Sequence, residues 1–126
     1  MSENKYTLYN LNVVEGESWY LSCFKNKDDP NFSPILQLRC SNYVDPWEDS
    51  SFHYHTISQE IFILLDGELW MIIDDKPLIM RSRNILLVQP EISHGIVGGR
   101  GKIRHLVFKI PHQEDKWMLT KSKINY

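Results

Sequence analysis

Apolar residues in this chain come in short runs that alternate with polar positions and stop at turn-forming residues. "YTLYNLNVV" gives way to "EGES", "WYLSCF" to "KNKDDPNFSP" and "ILQLRCSNYV" to "DPWEDS". Further on come "FHYHTIS", "EIFILLDGELWMIIDD", "KPLIMRS", "NILLVQPEIS" and "KIRHLVFKI". Asp-Pro, Asp-Gly and Gly-Gly signals recur about every ten residues, which predicts an all-β sandwich or barrel. In "LLDGELW" the pair Asp66–Gly67 between apolar runs predicts a tight hairpin, because that dipeptide tolerates positive φ. Asp74–Asp75 before Lys76 reads as a second turn. The stretch "QEDKWMLTKSKINY" fits a short helix or a strand along the barrel equally well. No repeat, low-complexity segment or long linker divides residues 1–126, so one domain is expected.

Composition sharpens this picture in one respect: the chain contains no alanine. A chain without the best helix former, rich in isoleucine, valine and aromatic residues, leans all-β. Apolar residues at 42% and charged residues at 24% are ordinary globular values. A net charge of -2 argues against a nucleic-acid partner, which calls for a basic face. No run approaches membrane-spanning length, and the start lacks a signal-peptide layout, so a soluble cytoplasmic protein is expected. Cys23 and Cys40 sit in apolar segments and read as small hydrophobes rather than a disulfide.

The candidate chemistry lies in "HYHTISQE". On a strand, residues two apart share a face, so His53 and His55 project side by side while Tyr54 points away. Their spacing of roughly 7 Å lets both imidazoles lean onto one metal ion with bonds of about 2.0–2.1 Å. "TISQ" is polar enough to turn the chain, and Glu60 then opens the next strand beside them. His94, in "QPEISHG", starts another predicted strand after a proline turn and supplies a fourth ligand. Any one of these histidines alone is more often a core or surface residue; the joint pattern is what favours a metal site.

That pattern resembles the cupins. "HYHTISQEIFILLDG" is similar to their first motif: HxH, a short gap, Glu, six residues, Gly. "QPEISHG" is similar to the second, a proline turn leading to a histidine. The resemblance covers residues 35–110, with residues 1–34 as added N-terminal strands. It departs at turn positions: Trp47, Arg83–Asn84, Glu91 and Gly98 stand where the motifs carry Gly, Gly-Asp, Gly and Asn. It implies a double-stranded β-helix (jelly-roll) barrel holding one divalent metal on His53, His55, Glu60 and His94. Three imidazoles and a carboxylate suit iron, manganese, nickel, cobalt, copper or zinc without selecting among them.

The expected function is that of a metal-dependent enzyme acting on a small oxygen-rich molecule, as an oxygenase, isomerase, lyase or decarboxylase. The alternative is a cupin that binds or senses a small molecule without turnover. Alternation along "ILQLRCSNY" groups Gln37, Arg39 and Ser41 on one face, and either face could be inward. Alternation along "KIRHLVFKI" groups Ile103, His105 and Val107. Arg39, as a carboxylate grip, and His105, as an acid–base group, are the catalytic candidates. Large side chains such as Phe62, Leu64 or Phe108 would block the ligands in a purely structural barrel. Apolar outer faces on so short a barrel also suggest a homodimer, covering Tyr9, Leu11, Trp19 or Tyr20.

Overall fold

The computed structural model describes residues 6–11, 16–44, 52–111 and 115–119; Trp47, His112 and the last seven residues lie outside them. Eight strands follow in order: β1 (Gly16–Leu21), β2 (Gln37–Val44), β3 (His53–His55), β4 (Gln59–Ile73), β5 (Lys76–Arg81), β6 (Ile85–Val88), β7 (His94–Ile110) and β8 (Lys116–Met118). Residues 6–11, part of the first apolar run, carry no strand. The C-terminal stretch resolves in favour of strand, since β8 pairs antiparallel with β3.

Two long strands build the architecture. The first half of β4 pairs with the second half of β7, flanked by β6 on one side and by β2 and β1 on the other. The second half of β4 pairs with the first half of β7, flanked by β5 and by β3 and β8. Both strands therefore run through two facing sheets, and the polypeptide bends where it passes from one to the other. This is an all-β jelly roll.

The bend replaces the hairpin expected at Asp66–Gly67. β4 continues through that pair, with register shifts on either side of Asp66, and Gly67 takes a φ of 85°. A side chain there would strike the Lys102 carbonyl and Ile103, and at Gly99 on β7 it would strike Ile103 and the Glu68 carbonyl. The two glycines let the long strands cross tightly at the corner. The tight hairpin falls instead at Asp74–Asp75, whose φ values of 51° and 64° match a primed turn between β4 and β5.

Phe62, Leu64, Leu69, Met71, Met80, Val88, Ile96, Ile103 and Val107 fill the space between the sheets. Cross-strand register fixes which residues look inward. Glu60–Lys109–Gln37, Phe62–Val107–Arg39 and Leu64–His105–Ser41 form successive rows on the interior face of one sheet. Arg39 thus lies on the inward face, and Phe108 points out. Cys23 and Cys40 are both free, and burial pushes the Cys40 thiol up, keeping it protonated.

Two positions where the cupin motifs carry glycine keep glycine's backbone here with a side chain attached: Arg83 has a φ of 77° and Glu91 of 71°. Left-handed backbone costs an L-residue roughly 1–2 kcal/mol, partly offset by glycine's greater unfolded-state entropy. Arg83→Gly is accordingly expected to raise stability by up to about 1 kcal/mol, while Gly67→Val lowers it by more than that. Chemical denaturation midpoints of the two variants check both signs.

Candidate metal centre

Strand pairing assembles the site at one end of the barrel. His53 on β3 lies directly opposite His94 on β7, within one sheet. Glu60 opens β4 in the facing sheet, opposite Val88 and Lys109. His55 is two residues from His53 on β3, on the same face as the sequence spacing requires. All four expected ligands therefore converge: one donor atom from each lies within 4.8 Å of the others. Glu60, His94 and His55 are 3%, 2% and 5% exposed.

Their contacts centre on one oxygen. Glu60 Oε1 stands 2.6 Å from His55 Nε2, 2.7 Å from His94 Nε2 and 3.2 Å from His53 Nε2. Two ligands at right angles around an ion with bonds of about 2.1 Å sit roughly 3 Å apart, which brackets these separations. The opposite sides of two rings are committed. His94 Nδ1–H donates to the Ile92 carbonyl at 2.9 Å, and His55 Nδ1–H donates to Asp115 Oδ1 at 3.2 Å. Both partners only accept, so the ring proton belongs on Nδ1 and each Nε2 turns a lone pair toward Glu60. A lone pair facing a carboxylate oxygen at these distances is repulsive unless a second proton or a metal cation lies between them. Burial alone would raise the Glu60 carboxyl; where that second proton is present, N–H donation from His53, His55 and His94 outweighs burial and holds it well below the usual range. An ionised carboxylate and outward-locked imidazoles are a donor set that fits a divalent transition metal.

Asp115 is the residue that sequence reasoning missed. It lies just before β8, and its carboxylate accepts from the Ile57 and Ser58 backbone N–H groups, both at 2.7 Å, from the Ser58 hydroxyl and from His55. Lys109 Nζ is 3.0 Å from the same Oδ1, with both side chains buried. Burial would raise the Asp115 carboxyl; the Ser58 and Ile57 N–H groups and the Lys109 ammonium together hold it well below the usual range. The carboxylate pins the turn between β3 and β4, which sets the spacing between the histidine pair and Glu60. Nothing in the sequence links position 115 to His55, sixty residues earlier. Lys109 was more accessible, because it extends the inward row Ile103, His105, Val107 by one step.

The two catalytic candidates occupy the same interior face at different depths. His105 is 1% exposed, and its ring stacks on Phe62 at 6.3 Å between centroids; Phe62 in turn meets His94 edge-on at 5.9 Å. Phe62 thus stands between His105 and the ligand cluster. Arg39 is farther out, its guanidinium 3.0 Å from Glu17, 3.3 Å from the Ser41 hydroxyl and over the Trp19 ring. Tyr43 also faces Glu17, at 3.5 Å.

No protein-family model matches this sequence, and no curated protein matches it significantly. Solved structures do match. A cupin protein from Bacteroides fragilis aligns over 88% of this chain and 88% of its own, at 13% identity and a TM-score of 0.68. An RmlC-like cupin with a double-stranded β-helix fold from Methanocaldococcus jannaschii covers 89% and 94%, at 16% identity and a TM-score of 0.63. The chain has the cupin fold. A predicted oxalate decarboxylase from Thermotoga maritima shares this cupin barrel over 62% of this chain and 68% of its own, at 18% identity and a TM-score of 0.56. No described helix of this chain is long and apolar enough to cross a membrane.

Losing the orienting carboxylate typically weakens a metal site 10–100-fold. Asp115→Asn is therefore expected to lower metal affinity by about that factor, and to destabilise the fold by about 3 kcal/mol by leaving Lys109 unpaired. Competition with a chelator and denaturation of the metal-free protein separate the two effects.

Proposed function

We propose that this cupin is a metal-dependent enzyme acting on a small oxygen-rich molecule, with a divalent transition metal held by His53, His55, Glu60 and His94. The observation that carries the reading is the approach of three imidazole Nε2 atoms to one carboxylate oxygen, with Nδ1 of two rings occupied elsewhere. When bound, such a metal supplies Lewis-acid polarisation of a substrate oxygen, or one-electron chemistry if it is iron, manganese or copper. Held by four protein ligands, such an ion would have room for further oxygen donors, which suits chelation by a hydroxy acid, keto acid, diol or enediol.

The chain's own residues do the rest. Asp115 and the Ile92 carbonyl hold the imidazoles in the ligating tautomer before any ion arrives, lowering the cost of assembling the site. Phe62, edge-on to His94, and Val88, opposite Glu60 in register, are both buried and give the cluster an apolar flank. Arg39 is assigned the outer end of the substrate, where its guanidinium meets a carboxylate if Glu17 yields. His105, behind Phe62, is assigned a proton-holding role that requires the Phe62 ring to move. A second reading, binding without turnover, draws on the same facts: Arg39 is already ion-paired with Glu17, and Phe62 stands between His105 and the ligands.

Metal content of untagged protein, beside a His53→Ala/His55→Ala control, tests the site. Near-stoichiometric metal that the control lacks is expected, and no metal after incubation with excess ions would sink the proposal. Loading with cobalt(II) then allows oxalate or a small keto acid to be tested as a chelating probe through the visible spectrum. A shifted spectrum with consumption of the probe supports an enzyme. A shifted spectrum with the probe recovered intact supports the binding reading.

A further inference from the structure

Register sets Glu60 on β4, Lys109 on β7 and Gln37 on β2 side by side in one row. Glu60 belongs to the ligand cluster, so the other two share its inward direction. Two strand spacings separate the Gln37 and Glu60 backbones, about 10 Å, and the two side chains shorten the gap. Lys109, between them, is engaged: its ammonium lies 3.0 Å from Asp115. Farther along β2, Arg39 is held by Glu17 at 3.0 Å, and the Ser41 hydroxyl accepts from Arg39 at 3.3 Å. Gln37 is only 7% exposed, yet among the described residues its carboxamide makes no hydrogen bond.

A carboxamide enclosed to that degree is met by water or by a ligand. Leucine or methionine would fill the same volume without the cost of desolvating an amide, as Phe62 and Val107 fill the next row. We infer that Gln37 binds a hydroxyl group of the substrate, which is therefore a chelating hydroxy or keto acid that carries at least one further hydroxyl. The inference rests on the metal-dependent reading of the site given above and names the class of molecule it takes. The chemistry of the side chain selects the group. A carboxamide presents N–H donors beside a carbonyl acceptor, and a hydroxyl, which both donates and accepts, satisfies the two kinds at once. A carboxylate would satisfy the donors alone, and the cation suited to it on this face is Arg39. An analogue without the hydroxyl leaves Gln37 enclosed and unmatched, which is how a polar group in a site discriminates.

Visible titration of the cobalt(II)-loaded full chain with gluconate and with 2-hydroxyhexanoate tests this. Both acids chelate through a carboxylate and its α-hydroxyl and have the same chain length, but only gluconate carries further hydroxyls. Wild type is expected to bind gluconate at least about 10-fold more tightly. Gln37→Leu should lose that preference while holding cobalt(II) as tightly as wild type in competition with a chelator. The denaturation midpoint of the metal-free variant should be no lower than that of wild type, since no hydrogen bond within the protein is lost. Equal affinity of wild type for the two acids, or a preference that survives in Gln37→Leu, overturns the inference and leaves the metal reading standing. A lower midpoint or weaker cobalt(II) binding in the variant also overturns it, because either gives the carboxamide a structural role. Wild type that takes up no cobalt(II) overturns the metal reading and this inference together. If Gln37→Leu does not fold, Gln37→Met goes through the same measurements, and a second failure to fold marks Gln37 as structural and rejects the inference.

Discussion

The Asp115 carboxylate draws donors from two separate parts of the chain, His55, Ile57 and Ser58 at the turn after β3 and Lys109 near the end of β7, and its own backbone leads directly into β8. Its backbone carbonyl also accepts from Thr56 N–H. A buried carboxylate is tolerable only when nearly every lone pair is met, and a buried ammonium only beside a counter-charge. Here each group supplies what the others need. The turn is held at a fixed spacing, β8 is tied to β3, and the His55 ring keeps the orientation that turns Nε2 inward.

The ligand set spans both sheets, and that has a mechanical meaning. His53, His55 and His94 come from one sheet and Glu60 from the other, while β4 and β7 run unbroken through both. Separating the sheets at the ligand end would break the Glu60 contacts, so a metal bound there would act as a clasp between the layers. The apolar core does the same work toward the other end, where Leu69, Met71, Met80 and Ile103 interdigitate. Buried apolar area and a coordination sphere are two means of holding one pair of sheets, each at its own end.

How much of this could be read from the sequence follows from how local each signal is. The convergence of His53, His55, Glu60 and His94 was legible because HxH parity, a glutamate at a strand start and a histidine after a proline turn are short-range patterns. The all-β class followed from the rhythm of strands and turns, and the jelly-roll barrel from the resemblance of two motifs to the cupins. Asp66–Gly67 misled because positive φ at glycine serves a corner in a bent strand as readily as a hairpin, and only the pairing partner distinguishes them. The inward face of β2 was undecided because Gln37, Arg39 and Ser41 are polar, yet they are the residues turned inside; a polar interior row reverses the usual sign of the alternation. Asp115 left no trace, since all the partners of its carboxylate but Lys109 lie nearly sixty residues away, and two of the contacts come from backbone N–H groups.

The distance between Asp115 and His55 along the chain also orders events during synthesis. His53, His55, Glu60 and His94 all leave the ribosome before residue 115 does, so the nascent chain carries its ligands without the group that fixes the His55 tautomer. Until β8 arrives, that imidazole is free to present either nitrogen, and the turn after β3 lacks its tether. The orientation of the His55 ring is thus completed only once residue 115 is in place, later than any of the four clustered residues.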